Sequence, residues 1–410
     1  MKRVVVIGGG AAGLMAAVAA ARKGAEVTVL EKNRQLGRKL MITGKGRCNV
    51  TNTAPLQEFI KNIPGNGRFL YSAFSNFFNW DIRSFLEELN VPLKEERGGR
   101  VFPVSDKAID VVNAFERELR RLAVRIAYEE EAVEVKTDKG RVTGVYTKRN
   151  FYEADSVILA GGGASYPGTG SDGSACKIAA KAGHTIVELH PALVPLESDE
   201  DWVKELQGLS LRNVNVKLLS GGKEKEEMFG EMLFTHFGVS GPIILSMSRM
   251  AVMELRRGKD IELEINLKPA LSREQLDKRV QRDLEKYSRK QIKNSLGELL
   301  PAKMIPIAID LACIDEDKFT NQISRKERER LIDILQHLRV HISKPRPLSE
   351  AIVTAGGVST KEVDPKTMES KLVKGLYLAG EVLDVDGFTG GYNLQAAFST
   401  GWTAGINCLI

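Results

Sequence analysis

Val4-Val5-Val6-Ile7-Gly8-Gly9-Gly10-Ala11-Ala12-Gly13 is the stretch on which the fold turns. Its first four residues are apolar and β-branched, the composition of a parallel strand buried on both faces. Leu14 to Lys23 is alanine-rich and reads as a helix that Gly24 stops, and Val27 to Leu30 reads as the next strand. The whole is a strand–helix–strand unit starting at residue 3. In that setting Gly8 permits a tight turn, Gly10 lets a pyrophosphate reach the backbone, and Gly13 lets the helix pack on the sheet. The first helical turn, with Ala11 and Ala12, adds free N–H groups and the positive end of the helix dipole. Glu31, 18 residues after Gly13, ends the second strand, placed to accept hydrogen bonds from a ribose, with Lys32 beside it. The alternative is a glycine turn plus a surface glutamate; strand, fingerprint, helix and acid in register argue against it. This unit alone does not separate FAD from NAD.

The other end of the chain makes that distinction. Leu376 to Ala379 reads as a strand, followed by Gly380 and Glu381. In two-dinucleotide-binding-fold flavoproteins such an acid meets the flavin ribityl chain. Gly390, Gly391 and Tyr392 then lead into a helix from Asn393 and Leu394, whose N–H groups can face the flavin N1 and O2 edge and stabilise negative charge there. Ala397, Gly401 and Gly405 give this helix a small face for close packing. An ordinary strand–turn–helix closing a sheet is the competing reading. The cofactor expected is FAD, gripped by both termini.

Between them, 410 residues suggest two or three domains. Helices are expected near 68–90 and 106–123, and strands near 132–136, 141–147 and 156–160. The texture changes near Pro191 and Pro195. Strand-like alternation in 213–219 and 260–267 precedes helices over 272–294 and 324–338. Residues 1–190 and 346–410 are therefore assigned to a split, Rossmann-like α/β domain, and 191–345 to an inserted β-barrel-like and helical domain. Hydrophobic residues make up 43% and the net charge is +6, which permits an anionic ligand without demanding nucleic acid. Four well-separated cysteines give neither a disulfide framework nor a zinc spacing, which points to a reducing, cytoplasmic setting. No export signal and no apolar run long enough to cross a bilayer is evident.

Three blocks together are specific. Gly44-Lys45-Gly46-Arg47-Cys48-Asn49-Val50-Thr51-Asn52, Phe234 through Pro242, and Thr354-Ala355-Gly356-Gly357-Val358 running into Gly380 to Gly387 and Thr389 to Asn393 resemble the BaiN-like (YhiN group) family of bacterial NAD(P)/FAD-dependent oxidoreductases. The resemblance implies a Rossmann-like FAD domain interrupted by an insertion. It implies cofactor contacts at the glycine cradle, Glu31 and Lys32, at Arg38, Lys39, Gly44, Gly46, Arg47, Cys48 and Asn49, at Val133, Ala160, Gly161 and Gly162, and at the C-terminal block. Some members resemble reductases of activated C=C bonds in steroid-like molecules.

The remaining candidates are weighed singly. The basic loop Arg34, Arg38, Lys39, Lys45 and Arg47 can neutralise a pyrophosphate, hold an anionic substrate, or be merely solvated. Cys48 has Thr53, not cysteine, where a redox disulfide would need its partner; Arg47 can lower its pKa, but a packing role is favoured. Gly161-Gly162-Gly163 lacks the spacing of a second nucleotide cradle, so a nicotinamide donor, NADH or NADPH, has to visit the flavin directly. His236 is either a proton donor reaching from the insertion or a turn histidine, and Arg47 is the other catalytic candidate. No metal site is expected. Helix 272–294 carries eight basic against four acidic residues; a solvated face is preferred to an RNA surface, since no aromatics interleave. The expectation is hydride transfer through flavin N5 to a small organic substrate, with a flavin-dependent tRNA modifier and a non-catalytic redox sensor as alternatives and the oligomeric state left open.

Overall fold

The computed structural model describes residues 1–409. It divides into two compact units, Met1–Ala192 with Leu348–Ile410, and Leu193–Pro347. No described helix is long and apolar enough to cross a membrane.

The first unit is built on a five-stranded parallel sheet in the order Leu376–Leu378, Ser156–Leu159, Arg3–Ile7, Glu26–Glu31, Arg125–Tyr128. The opening strand is central, and Val4 to Ile7 are buried, as a run of β-branched residues between two strand neighbours requires. The strand order brings the last strand next to the one at Ser156–Leu159, with Val157 paired to Leu376. The helix Ala11–Arg22 lies against the final helix Tyr392–Asn407. Their approach is close because the final helix presents no side chain there: a Cβ on Gly401 would stand 2.3 Å from the Ala12 carbonyl oxygen, and one on Gly405 2.5 Å from that of Ala16. The chain termini are thus fastened backbone to backbone, the physical meaning of the small-residue face. Smaller antiparallel sheets flank this core: Ala132–Asp138, Arg141–Thr147 and Phe151–Glu153 in one, and Ile186–Ala192 with Val353–Val358 in another.

The helix expected over 68–90 is two, Tyr71–Asn76 and Asn79–Glu88. Phe77 between them is extended, its ring stacked on Trp402, and Asp81 accepts from the Phe78 N–H to start the second. Tertiary packing of one aromatic ring overrides local propensity here.

In the second unit seven strands form an antiparallel sheet in the order Leu338–Ile342, Ile261–Asn266, Ser210–Ser220, Lys223–Thr235, Gly238–Ser240, Leu196–Glu197, Lys344–Pro345. The two ends of that order are consecutive in the chain, with Ser343 alone between them, so the sheet has to curl back on itself. Ile261, Leu263 and Ile265 alternate inward, beside Leu338, Val340 and Ile342. Helices Pro242–Arg256, Arg273–Lys286, Met304–Leu311 and Arg325–Gln336 belong to the same unit. Ser272 and Ser324 start two of them with reciprocal caps to Gln275 and Glu327. The helix expected to reach Asn294 ends at Lys286, because the chain pairs across the fold instead: the Ile292 N–H donates to the Lys318 carbonyl and the Thr320 N–H to that of Lys290.

Candidate functional site

The glycine turn after the first strand is shaped by contacts its residues leave no room to change. Gly8 sits at φ +102° and a Cβ there would be 2.6 Å from the Ala160 carbonyl oxygen and 2.9 Å from Gly161 Cα. Ala160 and Gly161, at the end of the neighbouring strand, therefore lie against the turn, and Gly162 follows at φ +78°. A Cβ on Gly13 would be 1.8 Å from the Gly8 carbonyl oxygen. Gly10 is the opposite case: nothing lies within 4 Å of where its Cβ would be. The helix that begins at Ala11 has Gly10 as its N-cap, no capping side chain and no acid in its first turn. Donors at Ala11, Ala12 and Gly13 are thus left for an anion.

Glu31, only 7% exposed, is held from two sides. Oε2 accepts the Gly9 N–H at 2.8 Å, and Oε1 accepts the Asn33 N–H and Nδ2 at 2.8 and 2.7 Å. A carboxylate can accept about four hydrogen bonds, so room for a ribose hydroxyl remains. Lys32 pairs with Asp172 at 2.8 Å and donates to Ser174 at 3.2 Å. Arg38 donates to Asn33 Oδ1 at 2.8 Å. Val133 is the extra residue of a bulge between Ala132 and Glu134, outside the ladder where its backbone is free to meet a ligand; its carbonyl accepts from Lys181 Nζ at 3.2 Å.

The loop after Arg38 is a short helix, Arg38–Ile42, and a tight turn in which Gly44, Lys45, Gly46 and Cys48 all have positive φ. For Lys45 and Cys48 that backbone is strained, and such strain persists only where the surroundings impose it. Arg47 ion-pairs with Glu96 and with Asp106, the latter at 2.8 Å, and its guanidinium lies 4.0 Å from the Phe102 ring centre. Its charge is balanced by carboxylates rather than turned on the thiol. Cys48 is fully buried, and burial pushes its pKa up to about 12 despite a hydrogen bond with Thr43. The packing role is the one the geometry supports. Next to it, Asn49 Oδ1 is buried without a hydrogen-bond partner, an orphan that a ligand donor would satisfy.

The C-terminal block meets this loop. The Gly380 N–H donates to Thr400 Oγ1, and a Cβ on Gly380 would be 2.7 Å from Ala12 Cβ. Glu381 Oε1 accepts from Ser165 Oγ at 2.9 Å and from the Thr354 N–H at 2.7 Å, and Oε2 from Lys39 Nζ at 2.6 Å. Gly390 is tied by Asn52, whose Nδ2 donates to its carbonyl at 3.0 Å. Gly391 N-caps the final helix, again with no capping side chain and no first-turn acid. Tyr392 packs edge-on against Phe59 at 4.7 Å, and Asn393 exchanges hydrogen bonds with Gly387, so both side chains brace the fold. With Leu394, they offer a ligand their backbone N–H groups.

The structure therefore brings the cofactor candidates from both termini into one unit. Open space at Gly10, two uncapped helix N-termini and the orphaned Asn49 carbonyl fit a dinucleotide with an anionic middle and a polar ring. Sequence reasoning missed Asn33, Ser165 and Thr354. Thr354 opens a block already singled out, but nothing local marked Asn33 or Ser165. His236 lies in the second unit, exposed in the turn after Lys223–Thr235, its ring 4.9 Å from that of Phe237. Among the described residues no three His, Cys, Asp or Glu side chains form a metal-holding group.

Known proteins extend this picture. The model of the HI0933-like protein Rossmann domain matches residues 2–407. A 3-dehydro-bile acid delta(4,6)-reductase of Clostridium scindens is 35% identical, over 99% of this chain and 98% of its own. A ribosomal RNA dihydrouridine synthase of Haemophilus influenzae is 30% identical, over 98% and 97%. Among solved structures, the 3-ketosteroid-delta4-(5alpha)-dehydrogenase of Rhodococcus jostii has a TM-score of 0.53 at 17% identity, over 100% of this chain and 97% of that one, a likeness of fold. The chain belongs to the HI0933-like Rossmann family of FAD-binding oxidoreductases.

Proposed function

We propose that this protein is an FAD-dependent reductase of carbon–carbon double bonds conjugated to a carbonyl, in a small apolar molecule, with NADH or NADPH as electron donor. The observation that carries the reading is the end-to-end likeness to a reductase at 35% identity, joined to a cradle whose donors come from both termini. Reduction of a 3-dehydro bile acid and of uridine has one chemical denominator: hydride goes to the far carbon of a C=C polarised by a carbonyl. FAD, when bound, would supply the hydride chemistry. The chain supplies the rest. Backbone donors at Ala11–Gly13 would hold the pyrophosphate, Glu31 and Glu381 the hydroxyls, and the first turn at Tyr392–Leu394 the electron-rich edge of the ring. Arg47, paired with Glu96 and Asp106, holds the loop that presents Asn49.

RNA as substrate is the other reading, motivated by the relatives named as ribosomal RNA dihydrouridine synthases. The basic helix Arg273–Lys286 does not favour it. Arg273, Arg279, Arg282 and Lys286 each face a carboxylate, of Asp333, Asp283, Asp283 and Glu298, which leaves less net charge for phosphate. The test mixes the yellow protein with NADH or NADPH without oxygen, then with a 3-oxo-4-ene steroid or with unmodified ribosomal RNA. Bleaching by a nicotinamide and return of colour with the steroid are expected. Colour restored by RNA alone moves the assignment to nucleic acid, and no bleaching with either donor removes the nicotinamide.

A further inference from the structure

From the sequence, Lys39 belongs to a basic loop that can neutralise a pyrophosphate, hold an anionic substrate or be merely solvated, and Glu381, 342 positions further on, is expected at the ribityl chain. The structure joins them. Lys39 Nζ lies 2.6 Å from Glu381 Oε2 and 2.7 Å from Ser165 Oγ, and Ser165 Oγ is 2.9 Å from Glu381 Oε1. The Thr354 N–H donates to the same Oε1 at 2.7 Å, while Thr354 Oγ1 accepts the N–H groups of Ala164 and Ser165 at 2.8 and 3.0 Å. Side chains of Lys39 and Glu381 are 22% and 21% exposed. Four segments distant in the chain meet at one carboxylate: the loop after Gly37, the glycine-rich loop at 161–165, the strand Val353–Val358, and the turn at Gly380.

We propose that Lys39 is a positioning residue for Glu381, serving the ribityl half of the cofactor, and not a counter-ion to the pyrophosphate. Donors on both oxygens fix the rotation of the carboxylate. Of about four acceptor positions, Oε1 uses two and Oε2 one, so the position left for a hydroxyl is on the oxygen that Lys39 orients. The pyrophosphate needs no lysine, because the uncapped turn at Ala11–Gly13 already provides its donors. Lys32 is likewise committed, to Asp172. Glycine at 163 is part of the same arrangement: a Cβ there would be 2.5 Å from Thr354 Oγ1 and 3.2 Å from Glu381 Cδ.

This inference rests on FAD as the cofactor, and its test separates the two. The full-length protein, freed of flavin, is titrated with FAD and separately with ADP, which carries the adenosine and pyrophosphate but no ribityl chain. Lys39→Met is expected to weaken FAD by about tenfold or more while ADP stays within about twofold. Glu381→Gln, which keeps the side-chain shape, should show the same contrast, and the double variant should be no weaker than Glu381→Gln alone, since the lysine acts through the glutamate. Lys39→Arg, which restores a donor to the carboxylate, should recover most of the FAD affinity. Equal weakening of ADP and FAD by Lys39→Met overturns the proposal and makes Lys39 a phosphate ligand; so does additivity in the double variant. A wild-type protein that binds ADP but not FAD overturns the flavin reading itself. If Lys39→Met does not fold, Lys39→Gln, which removes the charge but keeps a polar head, is titrated with the same two ligands and decides by the same contrast.

Discussion

Gly10 and Gly13 differ by three positions and by everything around them. Gly10 has extended backbone open to any residue, and empty space where its side chain would go. Gly10→Ala should keep folding stability within about 1 kcal/mol, an N-cap effect, while its methyl group enters the space a pyrophosphate needs and FAD affinity falls by about tenfold or more. Gly13→Ala places a methyl 1.8 Å from a carbonyl oxygen and should cost ~3 kcal/mol of stability before any ligand is added. Thermal melting with and without FAD distinguishes them; equal melting points for the two variants contradict the reading. The cysteines make a second residue-scale case. Burial pushes the thiols of Cys48 and Cys176 up to about 12 and about 11, and Cys408 likewise to about 12, whereas Cys313 is exposed. Native protein at pH 8 should react with a thiol reagent at Cys313 alone, and all four should react after denaturation. Labelling of native Cys48 would contradict its packing role.

Between elements, buried polar ties join segments that are far apart in the chain. His184, after the helix Ser174–Lys181, is fully buried at its side chain and joins two distant stretches: Nδ1 is 3.1 Å from Glu362 and Nε2 accepts from Ser370 at 2.9 Å. Ser370 Oγ in turn accepts the Leu372 and Val373 N–H groups. Burial holds the His184 pKa below its ordinary value of 6.5, outweighing the carboxylate of Glu362. Unfolded chain therefore binds the proton at a pH where folded protein does not. The stabilisation is complete above pH 6.5 and is lost as pH falls from there toward the lower folded value. Glu362, whose pKa is lowered first by Thr185, adds a loss only below its own ordinary value of 4.5. Urea midpoints measured from pH 7.5 to 5.5 should fall for the wild type and fall less for His184→Gln. Parallel profiles would sink this account of the histidine.

At the scale of the molecule, the insertion has the attributes of an independent folding unit. Leu193–Pro347 has its own apolar core, in which Leu263, Phe234, Leu331 and Val340 are among the fully buried residues. Its two ends are adjacent, since Leu196 pairs with Pro345 and the Arg346 N–H donates to the Pro195 carbonyl. Expressed alone, residues 193–347 should unfold in one cooperative transition; a gradual loss of signal with dye binding at the start would show that the unit needs its host. The split host unit makes the reverse prediction legible: its last strand and last helix arrive only when the C-terminus returns, so cofactor binding requires both ends of the chain.

The sequence by itself determined the opening strand–helix–strand unit, the acid at Glu31 and the small face of the final helix, because those rest on short-range rules: β-branched runs, glycine spacing and helical periodicity. It also carried the family, through blocks spread along the whole chain. Tertiary structure alone decided which partner each charge took. Lys39, Arg47 and Lys32 sit together in one basic stretch of sequence, yet each turns to a carboxylate contributed from elsewhere, at Glu381, at Glu96 and Asp106, and at Asp172. No local pattern encodes that, because an ion pair depends on which distant segment the fold delivers within a few ångströms.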